Sequence, residues 1–163
     1  MSKVSLKQPV IASILDRLID EVPEKTEEPL RSHNQLLYEL RSSVKRDLEN
    51  LLNTRRRYVS WDKAWEELDK SLVDYGIPDF MGTQLDSKNV QKNFCCHLEQ
   101  IIRRYEPRFK EIKVKLQDYL DKRDGTLHIR IEGLLYAEPV PEPIIFDSTL
   151  EPETRNFQVE SIA

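Results

Sequence analysis

Pro107 constrains this chain more than any other residue. Before it, Val90, Phe94, Leu98, Ile101, Ile102 and Tyr105 recur at spacings of three and four, which puts them on one helical face. Ser87 or Asn89 can cap the start of that helix. The residue before a proline is pushed out of the helical region, so the helix ends at or before Glu106. After it, Ile112, Val114 and Leu116 alternate with Glu111, Lys113 and Lys115, the period of a strand with one buried face. A long helix, an abrupt stop and a strand thus follow one another, with Glu106-Pro107-Arg108 at the corner. An acid and a base flanking a rigid hinge either tie helix to sheet or hold a partner.

The other helices precede this stretch. Leu37, Leu40, Val44, Leu48, Leu51 and Leu52 form an apolar stripe from about Asn34 to Leu52, opposite a charged face of Glu39, Arg41, Lys45, Arg46, Asp47 and Glu49. Arg55-Arg56-Arg57 follows its end. The helix dipole favours cations there, and an anionic partner surface is the sharper use for them. Ser60 can cap a third helix, with Trp61, Ala64, Trp65, Leu68 and Leu72 on one face; core packing is expected for both tryptophans, with an exposed partner contact as the alternative. Gly76 suits a left-handed C-cap, and Pro78 stops continuation. Nearer the N-terminus, Val10, Ile11, Ile14, Leu15 and Leu18 have helical spacing, with Asp16, Arg17 and Asp20 facing out. A helix this short is marginal alone and must dock. Glu21, Glu24, Glu27 and Glu28 with Pro23 and Pro29 then read as a solvated tether. The expected division is residues 1–34, an amphipathic helix and acidic linker, and residues 35–163, a single domain.

Strands fill the remainder. A polar turn covers Gln117 to Gly125, and Leu127, Ile129 and Ile131 then alternate with polar neighbours. Gly133 suggests a bulge. The proline-rich stretch Ala137 to Pro143 cannot lie in a sheet centre. Ile144 to Asp147 is a short strand, 148–155 an acidic loop, and Asn156 to Glu160 a final, edge-like strand. The fold class is α+β, N-terminal helices on a small antiparallel sheet of three to four strands.

Composition narrows the function. The chain of 163 residues has a net charge of -4 and no long apolar run, which argues against nucleic acid and membrane insertion. Cys95 and Cys96 are adjacent and cannot close an unstrained disulfide, and with three histidines they make no zinc pattern. No metal or other cofactor is expected, and reduced cysteines fit a cytoplasmic protein. Phosphate-binding glycine loops, G-x-S-x-G and H-E-x-x-H are missing from the sequence. Glu106 is the one acid between an apolar helix and a strand, yet Arg108 nearby would lower rather than raise its pKa. No catalytic residue is assigned, and an enzyme is not expected.

Four segments carry a resemblance: Ser13-Ile14-Leu15-Asp16-Arg17-Leu18, Leu51-Leu52-Asn53-Thr54-Arg55-Arg56-Arg57, Tyr75-Gly76-Ile77-Pro78-Asp79-Phe80 and Glu106-Pro107-Arg108. In this order the chain resembles the TssE family of type VI secretion baseplate subunits. More distantly, it is similar to phage-tail baseplate wedge proteins labelled lysozyme-like. The likeness runs from about residue 10 to residue 160, except for 58–70, which matches no shared motif. It implies a structural wedge subunit that joins other baseplate wedge subunits (TssF, TssG, TssK) and sheath subunits and helps to start the contractile sheath. It also implies that Glu106, Pro107 and Arg108 bind a helical bundle of neighbouring subunits; of the three, Arg108 is the residue expected to reach outward, with Glu106 either touching the partner or only holding Arg108 in place. The edge near Phe157 and Val159 gains a use in strand exchange. The same fold serves a bacterial anti-adaptor, which gives the alternative of a regulatory binding protein, and the family label suggests a third, a peptidoglycan hydrolase.

Overall fold

In the computed structural model the described residues are 13–19, 32–58, 60–62, 64–65, 67–68, 71–79, 87–117, 127–137, 140–150 and 156–162. Three α-helices, α1 (Ile14–Leu18), α2 (His33–Asn53) and α3 (Lys88–Tyr105), precede four strands, β1 (Phe109–Leu116), β2 (Leu127–Leu135), β3 (Glu142–Leu150) and β4 (Phe157–Ile162). The fold is α+β, as the sequence implies, and the strands form one antiparallel sheet in the order β1-β2-β3-β4.

The helices cover one face of the sheet, α2 on the β4 side and α3 beside β1. The stripe of α2 is buried from Leu40 through Val44, Leu48, Leu51 and Leu52, and α3 buries Leu98, Ile101 and Ile102 against it and the sheet. From the sheet come alternate residues, with Ile129, Ile131, Phe146, Phe157 and Val159 all within 2% exposure. The opposite face is wet. There Arg130 and Asp147 stand directly opposite across β2 and β3 with Nε–Oδ1 at 2.8 Å, and the Arg130 hydrogen bonds hold the Asp147 carboxyl below the usual carboxylate range.

Local chemistry accounts for the ends of α2. Ser32 caps it by accepting from the Gln35 N–H at 3.4 Å, while the Ser32 N–H donates to Gln35 Oε1 at 2.8 Å, a reciprocal capping box that satisfies two orphan groups. At the other end the Asn53 amide behaves like a strand residue. Its Nδ2 donates to the Phe157 carbonyl at 3.0 Å and its Oδ1 accepts the Phe157 N–H at 2.7 Å, fastening the start of β4 to α2.

Four expectations need correction. The third helix does not form among the described residues. Instead, Trp65 N–H bonds Asp62 O, Leu68 N–H bonds Trp65 O, and Ser71 N–H bonds Leu68 O, a series of i→i+3 turns that ends in a 3₁₀ turn at Leu72–Asp74. Asp62 and Ser71 side chains accept from the Ala64 and Val73 N–H groups, offering the backbone partners that compete with a helix. Trp65 is 61% exposed and Leu72 84%, so neither is core. The bulge lies on β1, where the register shifts between Phe109 and Glu111, and not at Gly133. Gly133 is needed because the Phe109 ring stands 2.4 Å from where a Cβ would be. Pro143 is inside β3, a central strand, but at a point before the pairing with β4 begins at Ile145. Residues 148–150, expected in a loop, continue β3 to Leu150. The rest of that loop, residues 21–31 of the acidic linker, Val10, Ile11 and the 118–125 turn lie outside the described residues, while residues 32–34, expected in the linker, cap and open α2 instead.

Candidate partner-docking site

The Glu106-Pro107-Arg108 corner follows directly from where α3 ends. Glu106 is the C-cap, with φ -122° and ψ 81°, and its N–H still donates to the Ile102 carbonyl at 2.8 Å. Its backbone has left the helix because Pro107 follows. Pro107 and Arg108 form the turn, with Pro107 exposed, and Phe109 starts β1. The Arg108 carbonyl accepts the Tyr136 N–H at 2.9 Å, so the corner is also tied to the end of β2.

The side chains turn inward. Glu106 is only 5% exposed. Its carboxylate takes the Arg108 backbone N–H at 3.2 Å and Nε at 2.6 Å, and Arg108 Nη2 reaches its second oxygen. Arg108 does not point outward as expected. Its Nη2 also bonds Asp47 and its Nη1 donates to Ser43 Oγ at 2.8 Å, both from α2. Four of its five N–H groups are thereby engaged: Nε, one on Nη1 and both on Nη2. Burial works against the charge on Arg108, but the Glu106 and Asp47 carboxylates overcome it and hold its pKa above the usual guanidinium value.

The network closes on itself through α1. Ser43 Oγ donates to Asp16 Oδ2 at 2.6 Å, and Asp16 Oδ1 takes Arg46 Nη2 at 2.7 Å. Arg46 Nε reaches Asp47 at 3.3 Å, and Asp47 returns to Arg108. Five side chains thus form a ring, with Glu106 attached at Arg108. Burial raises the pKa of Asp16, yet hydrogen bonds from Ser13, Ser43 and Arg46 outweigh it and bring it down to about 2. This inverts the expected pose of α1. The acid meant for solvent docks on α2, while Ile14 at 78% and Leu18 at 75% are exposed.

Sequence reasoning placed Glu106, Pro107 and Arg108 together and missed Asp16, Ser43, Arg46 and Asp47. A faint signal existed. Ser43 and Asp47 are four apart and immediately flank Val44 and Leu48, so they form the polar row at the margin of the buried stripe. With acid and base both committed to partners, the corner offers a rigid mount rather than a proton donor or acceptor. Among the described residues no three His, Cys, Asp or Glu side chains gather as a metal site, and no helix is long and apolar enough to cross a membrane. Cys95 is buried, which pushes its thiol pKa up, whereas Cys96 is exposed.

Residues 38–140 match the family model described as baseplate wedge protein gp25. The chain belongs to this family. The span shared with the gp25 wedge proteins holds α2 from Tyr38 onward, the whole of α3, the Glu106-Pro107-Arg108 corner, β1 and β2. Ser43, Arg46 and Asp47 lie inside it, and Asp16 lies outside. The chain is also 33% identical over 78 residues to the anti-adapter protein IraD of Salmonella arizonae (strain ATCC BAA-731 / CDC346-86 / RSK2980), a span of 48% of this chain and 58% of that protein.

Proposed function

We propose that the chain is a structural wedge component of a contractile type VI secretion baseplate, working in the cytoplasm without catalysis. It binds other wedge subunits (TssF, TssG, TssK) at Glu106-Pro107-Arg108 and helps to start assembly of the sheath. The observation that carries this reading is the placement of the corner. It lies inside the gp25-family span and stands at the junction of α2, α3 and the sheet. The exposed Pro107 is the contact point, set at a fixed angle by the Glu106–Arg108 pair beneath it. Arg108 keeps one Nη1 hydrogen to offer a partner carbonyl or carboxylate. A preorganised mount loses little entropy on docking.

The test is co-purification of the tagged full chain with TssF, TssG and TssK. The expected result is loss of the complex for Pro107→Asp and Arg108→Lys, with circular dichroism showing both variants folded. Undiminished association of a folded Arg108→Lys, together with a folded Pro107→Asp, sinks the role of the corner.

The partial likeness to an anti-adapter supports a second reading, a regulatory binding protein. Genomic context separates the two. Sheath and tube genes alongside favour the wedge, and an isolated gene favours regulation. A peptidoglycan hydrolase is the weakest alternative, because both charged groups of the corner are occupied; cell-wall digestion that one carboxylate substitution abolishes would revive it.

A further inference from the structure

The arginines after α2 take part in a second construction. Beyond Thr54 the Arg56 N–H donates to the Ile77 carbonyl at 2.9 Å and the Ile77 N–H to the Thr54 carbonyl at 2.9 Å. This short parallel pairing of Arg55 with Ile77 lays residues 54–58 beside 71–79. It brings Asp74, 6% exposed, between two guanidiniums, Arg56 Nε at 3.1 Å and Arg104 Nη1 at 3.0 Å, the latter from the last turn of α3. One buried carboxylate thus fixes the position of two cations. Arg57 stands exposed beside them. Together they line an open groove of about 650 Å³, whose wall is completed by Tyr58, itself 87% exposed, and Trp61.

We propose that this groove docks an acidic peptide segment of a partner protein, one that carries an aliphatic or aromatic side chain beside its Asp or Glu residues. Among the described residues that line the groove three are arginines and one, Asp74, is an acid, on a chain whose net charge is -4. The positive field is therefore local. A long polyanion such as nucleic acid meets repulsion from the rest of the surface, whereas a short acidic segment meets only the groove. Arginine forks suit carboxylates in pairs, and Asp74 orients two of these forks before the ligand arrives. An exposed tyrosine and a tryptophan next to arginine have the composition of interface anchors. The volume accommodates a few side chains, not a folded surface. The inference stands apart from the baseplate reading, since it concerns different residues and needs no particular machine.

The probe is a short synthetic peptide of Glu and Asp around a central Leu, titrated into the ¹⁵N-labelled full chain. The expected result is a saturable shift of the Trp61 indole N–H, with the Trp65 indole unmoved. Arg57→Glu is the informative variant, because Asp74 is held by Arg56 and Arg104 rather than by Arg57. It should weaken binding by at least about tenfold, equivalent to about 1.4 kcal/mol. Tyr58→Ala should weaken it as well. The proposal fails if no saturable shift occurs or if a folded Arg57→Glu binds equally well. It fails too if oligothymidylate, or the same peptide with Lys replacing the acids, binds as tightly.

Discussion

The hydroxyl of Ser43 donates a hydrogen bond to Asp16 and accepts one from Arg108, so a single oxygen links α1 to the corner after α3. Charge-assisted bonds of this kind are strong where water is scarce, and leaving one partner alone is costly. Arg108→Ala strands the buried Glu106 carboxylate. It should cost on the order of 3 kcal/mol in urea unfolding, more than Asp47→Ala, whose loss leaves Arg108 with Glu106 and Ser43. Asp16 makes the same contacts pH-dependent. Its folded pKa of about 2 lies below the ordinary unfolded value of about 3.9. The stabilisation is therefore complete above about pH 4 and disappears as pH falls toward 2. Hydrogen exchange should show α1 losing protection in that window before α3 does, and Asp16→Asn should remove the dependence.

At the level of elements, α3, its stop and β1 were legible because three independent signals agreed: helical spacing, Pro107 and period-two alternation. The segment after Ser60 was not, although its apolar spacing is equally regular. Asp62 and Ser71 there satisfy backbone N–H groups locally, and periodicity carries no trace of that competition. The side-chain direction of Arg108 was likewise hidden, since its partners Ser43 and Asp47 lie more than sixty residues earlier. Gly76, in contrast, was read correctly as left-handed, but for a contact the sequence does not display. At φ 111° an added Cβ would sit 2.5 Å from the Thr54 carbonyl oxygen, inside the pairing of Arg55 with Ile77. Gly76→Ala should lower stability by about 1–3 kcal/mol in thermal melts, and because it loosens Asp74 it should also weaken the arginine groove.

For the whole molecule, the buried hydrophobic residues among those described begin at Leu40 and run to Val159. A chain lacking residues 1–31 retains the Ser32 cap and all of that core, and should still unfold in one cooperative step by circular dichroism. A broad or two-step transition would place the N-terminal segment within the same folding unit. At the far end, Asn53 holds both backbone groups of Phe157. In an antiparallel edge the outward groups recur at every second residue, so Val159 and Ser161 are left to face outward from β4. Any guest strand laid there has room for about two residue pairs before it meets the end of α2. The β4 edge is thus open to one short, terminated addition and closed to the run-on stacking by which bare edges grow into fibres.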